Sequence, residues 1–314
     1  MKRRRLGRSG PEISVIGVGA WAAGGDEWGG QNQKDSIDAI QQAIACGVNW
    51  VDTAPTYGLG FSEELVGRAI AQLPSSERPM VFTKCSRVWG EDGAVRSDLS
   101  PASLRRECEA SLTRLGLDQI DLYQIHQPAP EADLEQGWQT LLRLQEEGKV
   151  RHLGVSNFTV GQLERLRSIA APVSLQPSYS LIDRNVEAAL LPYCRSNGVG
   201  VIVWSPLMRG LLAGHLTREA IAALPADDSR RTELEFREPR LSSNLRLVQR
   251  VRGVARRHGR TPAQIAIAWT LRDPVVTGAI VGMRSAAHAE TIAVASTIQL
   301  DAEDLDELSG AGGS

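Results

Sequence analysis

Short apolar runs bounded by Gly, Pro, Asn or Ser recur along the chain at 15–19, 49–54, 80–85, 120–126, 150–156, 173–176, 199–205 and 276–282. Runs this short, rich in Val and Ile, read as buried β-strands. Between them the apolar positions change to a helical period, at 36–45, 62–73, 103–115, 134–147, 160–169 and 186–196. Ser100-Pro101 and Thr261-Pro262 each pair an N-cap hydroxyl with a proline at the first helical position, a helix-start signal. Strands that alternate with helices must be parallel and joined by right-handed crossovers. Eight such units favour closure into a (β/α)8 TIM barrel over an open doubly wound sheet.

Two segments stand outside the repeat. Residues 4–14 carry a Gly7-Arg8-Ser9-Gly10-Pro11 turn between short extended pieces, which predicts an N-terminal β-hairpin closing the bottom of the barrel. Residues 207–245, after the seventh strand, are polar and irregular and include Asp227-Asp228-Ser229-Arg230-Arg231. In a barrel such a loop lies on the catalytic face. No linker divides the chain, so residues 1–314 are expected to form one domain that ends in a frayed Gly-rich tail.

Composition narrows the function classes. A hydrophobic fraction of 42% with 23% charged residues is that of a globular protein. Lys and Arg number 35 against 37 Asp and Glu, which provides no basic field for nucleic acid, and the run Lys2-Arg3-Arg4-Arg5 reads as a solvated first strand. No apolar run reaches signal-peptide or membrane-span length, so a cytoplasmic protein with no membrane partner is expected. Cys46, Cys85, Cys108 and Cys194 lie far apart, without the spacing of a zinc site. They read as reduced thiols.

One motif misleads. Gly17-Val18-Gly19-Ala20-Trp21-Ala22 fits the GxGxxG/A fingerprint of dinucleotide-binding sheets and follows a strand. That fingerprint must open a helix whose N-terminus holds the pyrophosphate. Here the chain continues Ala23-Gly24-Gly25-Asp26-Glu27-Trp28-Gly29-Gly30, too glycine-rich to start one. Close backbone approach at the barrel mouth is the better reading.

The chemistry lies at strand ends. Asp52 and Tyr57 fall in Val51-Asp52-Thr53-Ala54-Pro55-Thr56-Tyr57-Gly58, Lys84 ends Val81-Phe82-Thr83-Lys84, and His126 ends Asp121-Leu122-Tyr123-Gln124-Ile125-His126. The C-terminal rim of a barrel gathers these ends around one axis. Reducing a carbonyl requires a proton donor for the developing alkoxide, and an unassisted phenol donates reluctantly. A lysine ammonium beside Tyr57 would stabilise its conjugate base, and Asp52 would keep Lys84 charged despite burial. His126 has two available jobs, orienting the carbonyl oxygen or relaying a proton to Tyr57.

These motifs, in this order, resemble the aldo-keto reductase superfamily, and the resemblance spans nearly the whole chain. It continues through Gly148-Lys149-Val150-Arg151-His152-Leu153-Gly154-Val155-Ser156-Asn157-Phe158. The resemblance implies that Ser156, Asn157 and Gln176 bind the nicotinamide carboxamide. It also implies that Trp204, in Val203-Trp204-Ser205-Pro206-Leu207, stacks on the nicotinamide ring and presents its pro-R hydride. The implied cofactor is NADP(H), with NAD(H) as the alternative, and the implied partner is a small carbonyl or alcohol substrate. Ser205, Pro206, Leu207, Arg209, Gly210 and Arg230 belong to the expected cofactor loop, and Gly282, Met283, Arg284 and His288 to the expected adenosine end.

The chain departs from the family pattern in that last segment. Arg284 keeps a planar cation suited to the 2′-phosphate, whereas His288 and Ile292 stand where the family has Gln and Asn. Gly214-His215 replaces a Gly-Lys pair, a loss that Arg209 or Arg230 would offset. Trp21, Trp28, Trp89 and the loop 127–133 are expected to shape the substrate pocket, with Trp21 and Trp89 as aromatic walls. Two other readings compete. One is a nicotinamide-binding regulatory subunit, as the potassium-channel β subunits of this superfamily are. The other is a Schiff-base aldolase using Lys84.

Overall fold

The structure, a computed structural model, describes residues 1–24, 32–226 and 228–310. Trp28, the glycines at 25, 29 and 30, Asp227 and the end of the tail lie outside the described residues.

Twelve strands are found among the described residues: β1 (Arg3–Arg5), β2 (Glu12–Ser14), β3 (Ile16–Gly19), β4 (Trp50–Asp52), β5 (Met80–Cys85), β6 (Arg87–Trp89), β7 (Val95–Ser97), β8 (Ile120–Ile125), β9 (Val150–Ser156), β10 (Ser174–Gln176), β11 (Gly200–Val203) and β12 (Val276–Gly282). Eight of them, β3, β4, β5, β8, β9, β10, β11 and β12, pair in parallel and close into a barrel. The remaining four form two antiparallel pairs, β1 with β2 and β6 with β7. The first pair is the expected hairpin. Its Leu6 and Ile13 are fully buried and join the barrel's inner apolar cluster, so the hairpin plugs the bottom. The second pair was not legible in the apolar pattern, because Arg87–Trp89 and Val95–Ser97 are short and mixed in polarity.

The helices are α1 (Gln33–Ala45), α2 (Phe61–Ala71), α3 (Pro101–Leu115), α4 (Leu134–Glu146), α5 (Val160–Arg167), α6 (Leu190–Asn197), α7 (Arg218–Ala222), α8 (Arg240–His258), α9 (Pro262–Thr270), α10 (Ala286–Ala293) and α11 (Ala302–Ser309). Ser100 caps α3 and Thr261 caps α9, each followed by proline at the start of the helix. The region expected to be irregular from 207 to 245 is shorter than the sequence implied, because α8 begins at Arg240. Two helices, α8 and α9, then lead into β12. The helical run expected over 186–196 divides into a 3₁₀ turn at Asn185–Glu187 and α6.

Alternation along the strands organises the barrel interior. The lower layer is apolar, with Trp50, Phe82, Leu122, Ile202 and Ile280 in one cluster. Two residues further along four of these strands, on the same face, stand Asp52, Lys84, Gln124 and Trp204. The apolar floor and the polar site are therefore successive interior layers. The glycines of the misleading motif serve this packing. A β-carbon on Gly17 would collide with the Trp50 indole, and one on Gly19 would come within 2.8 Å of Ile280 Cγ2. After β3 the chain enters a 3₁₀ turn at Trp21–Gly24, and the next α-helix starts at Gln33.

Candidate active site

A cavity of about 510 Å3 opens at the C-terminal ends of the strands. At its base, Lys84 Nζ donates to Asp52 Oδ1 at 2.5 Å, to the Thr53 carbonyl at 2.9 Å and to the Tyr57 hydroxyl at 3.2 Å. Those contacts match the three donors of an ammonium group. Lys84 is 1% exposed. Burial pulls its pKa down, but Asp52 and Tyr57 outweigh that, and the net displacement is upward. Lys84 is thus held as a cation. A Schiff-base role needs a neutral amine, so this geometry argues against the aldolase reading.

Tyr57 and His126 face the cavity. Their ring centroids lie 6.0 Å apart, edge to face. Burial drives the His126 pKa well below its ordinary value, and the cations Lys84 and Arg87 push it the same way. The imidazole is therefore neutral. Its Nδ1 is buried and has no partner among the described residues, which leaves Nε2 as the nitrogen able to meet a ligand.

On the next strands the expected amide-binding residues converge. Gln176 Nε2 donates to Asp52 Oδ2 at 2.8 Å. Ser156 Oγ donates to the Gln176 carbonyl at 2.8 Å. Asn157 Nδ2 donates to the His126 carbonyl at 3.1 Å, and Trp204 Nε1 donates to Asn157 Oδ1 at 3.3 Å. Asn157 and Ser205 hold left-handed backbone conformations, φ 63° and 59°. Such strain in non-glycine residues collects at functional sites.

Away from this centre the cavity is lined by Ser205, Pro206, Leu207, Arg209 and Gly210 from the loop after β11, and by Arg230. The Arg209 guanidinium sits 4.5 Å from the centre of the Trp21 ring, and it also bonds Ser229 Oγ at 2.7 Å and Glu233 at 2.8 Å. Trp21, the loop after β11 and the segment 229–233 are tied together by this one side chain. The lining also includes His215, Gly282, Arg284 and His288. Burial lowers the His215 pKa, helped by Arg230 and His288.

Two expected residues lie elsewhere. Met283 is buried in the core, because its position puts it on the inner side of the chain between Gly282 and Arg284. Trp89 is in the β6–β7 hairpin with Arg114 over its ring at 5.9 Å, and it is not among the residues lining the cavity. A strand-end tryptophan is drawn as easily to a neighbouring cation as to a pocket. The structure also adds residues that the motifs did not supply. Gln124 bonds both Asp52 and Gln176, and its interior position two residues before His126 was the signal for it. Ala22, Ala263 and Thr291 line the cavity with no signal in the sequence.

The chain's relatives agree with this architecture. The Aldo/keto reductase family model matches residues 15–312. The chain is 35% identical to "Aldo-keto reductase YhdN" of Bacillus subtilis over 309 residues, 98% of this chain and 92% of that protein. It is 33% identical to the "NADH-specific methylglyoxal reductase" of Escherichia coli, over 97% of this chain and 96% of that one. The solved glycerol dehydrogenase AKR11B4 from Gluconobacter oxydans superposes with a TM-score of 0.89 at 33% identity, covering 98% of this chain and 94% of that chain. Among the described residues no helix is long and apolar enough to cross a membrane. The chain belongs to the aldo/keto reductase family and is an NAD(P)H-dependent oxidoreductase.

Proposed function

We propose that the protein reduces a small aldehyde or ketone to the alcohol, with Tyr57 as general acid and with Lys84, Asp52 and His126 completing the catalytic group. The observation that carries this reading is the buried chain of contacts from Asp52 through Lys84 Nζ to the Tyr57 hydroxyl, 2.5 and 3.2 Å. The residues present suit a nicotinamide dinucleotide. An indole and a converging set of amides line one part of the cavity, and Arg284, Arg230 and His288 line another.

When bound, that cofactor supplies the hydride. The protein's residues do the rest. Ser156, Asn157 and Gln176 would hold the carboxamide, and Trp204 would stack on the nicotinamide ring, an arrangement that would suit pro-R hydride transfer. Neutral His126 orients the carbonyl oxygen as a hydrogen-bond donor. Tyr57 delivers the proton, and Lys84 stabilises the charge left on the phenol oxygen. Trp21 walls the substrate region.

Arg284 reads the 2′-phosphate of NADPH, which makes NADPH the preferred donor and NADH a working alternative. Residues 1–314, read as one domain, would carry both cofactor and substrate sites. Among the described residues no feature of the site favours a regulatory subunit without turnover.

The test is single-turnover hydride transfer in the wild type, Tyr57→Phe, Lys84→Met and the double variant, with cofactor affinity followed by tryptophan quenching. Tyr57→Phe should lose about 10²–10⁴-fold in rate with cofactor affinity nearly unchanged. The double variant should be little worse than either single one, because the two groups act as a unit. Tyr57→Phe retaining half of the wild-type rate would shift the proton donor to His126.

A further inference from the structure

Gln124 is the interior polar residue of β8 to which the proposed chemistry gives no task. It is fully buried and faces Lys84 in the β5–β8 register. A β-carbon on Gly154 would lie 3.2 Å from Gln124 Cγ, so the neighbouring strand leaves room for this side chain. Gln124 Nε2 donates to Asp52 Oδ2 at 3.3 Å, and Gln124 Oε1 accepts from Gln176 Nε2 at 3.2 Å. Turned the other way, its oxygen would meet a carboxylate oxygen and its nitrogen an amide nitrogen. The surroundings admit one orientation.

The effect passes to Gln176. Its Nε2 donates to Asp52 Oδ2 at 2.8 Å and to Gln124 Oε1 at 3.2 Å, which occupies both amide hydrogens. One hydrogen bond would leave this amide free to swing about the line to Asp52. Two fix its plane, and Oε1 becomes the atom it offers to a ligand.

We propose that Gln124 is a positioning residue that locks the Gln176 amide with its carbonyl oxygen towards the ligand, so that the site demands an N–H donor on the cofactor's ring substituent. This rests on the reading of Gln176 as a carboxamide ligand. A locked acceptor rejects a ligand that lacks the donor, because a buried polar group is then left unpaired. A swinging amide tolerates it.

The experiment compares dissociation constants of NADP⁺ and its 3-acetylpyridine analogue, in which the carboxamide nitrogen is replaced by a methyl group. Tryptophan quenching would be read in the wild type, Gln124→Leu and Gln124→Glu. The wild type should prefer the carboxamide form by about tenfold or more, and Gln124→Leu should bring that ratio close to one. Gln124→Glu provides a second, independent readout. As a neutral acid, a glutamic side chain there reproduces both contacts. Ionised, it sets a second negative charge against Asp52, beside Lys84 and close to Tyr57 and His126. Next to Asp52 and fully buried, it should titrate well above the usual carboxylate range. The tenfold preference should therefore survive in Gln124→Glu at about pH 6, where the neutral acid still donates to Asp52 and still accepts from Gln176 Nε2. A wild type without preference would remove the carboxamide reading of Gln176 itself. Full preference retained in Gln124→Leu, or preference lost in Gln124→Glu at about pH 6, would overturn the role of Gln124 and leave that reading standing.

Discussion

The indole of Trp50 occupies the space beside Gly17 that a side chain would fill. The ring is fully buried, its N–H donates to the Ser14 carbonyl at 2.8 Å, and a β-carbon on Gly278 would approach its Cζ2 to 2.9 Å. Gly17 is therefore a packing residue of the barrel interior. Gly17→Ala should destabilise the fold by about 1–3 kcal/mol, the usual cost of overpacking a core, measured by urea unfolding. Its cofactor affinity, measured on the folded variant, should stay within a few-fold of wild type. Unchanged stability with lost affinity would instead make this segment a phosphate-binding loop.

Arg284 offers the test of cofactor choice. Arg284→Ala should weaken NADPH more than NADH, since only the former carries the extra phosphate. A charge-assisted bond is worth roughly 1.5–3 kcal/mol, or about ten- to a hundredfold in dissociation constant. Equal losses for the two cofactors would remove Arg284 from the role of phosphate reader.

Glu107, on the inner face of α3, predicts a pH dependence of stability. Burial raises its pKa from 4.5 to about 7, against the hydrogen bond from Ser103. The folded state then holds a proton that the unfolded chain releases, so this group favours folding most below pH 4.5. Its contribution falls as the pH climbs to about 7, by about 3 kcal/mol in total. Denaturation of wild type and Glu107→Gln at a series of pH values checks this. The difference between the two should change across that interval in the direction of a wild type that weakens with rising pH. A constant difference would show that Glu107 ionises normally.

The barrel and the placement of the candidate site residues were legible for different reasons. Buried parallel strands read as plain apolar runs, and Asp52, Lys84 and His126 broke those runs at or near their ends, where a barrel gathers side chains around one axis. Gln124 broke one as well, but two residues before His126, and its meaning emerged only when Asp52 and Gln176 were placed beside it. Trp89 misled because nothing local says which neighbour an aromatic ring will choose, and Arg114 comes from a helix that begins twelve residues later. The β6–β7 hairpin and the early start of α8 were hidden by short or strongly polar patterns.

The stacking of a dry floor beneath a polar layer also bears on how such a protein changes over generations. In Trp50 and Asp52, Phe82 and Lys84, Leu122 and Gln124, and Ile202 and Trp204, one codon separates the triplet that builds the barrel floor from the triplet that lines or supports the candidate site. Selection for heat tolerance and selection for a new substrate thus act on neighbouring but separate letters of the gene. A lineage can rewrite the upper row and the loops beyond it while inheriting the lower row intact, which is how one scaffold comes to host many reactions.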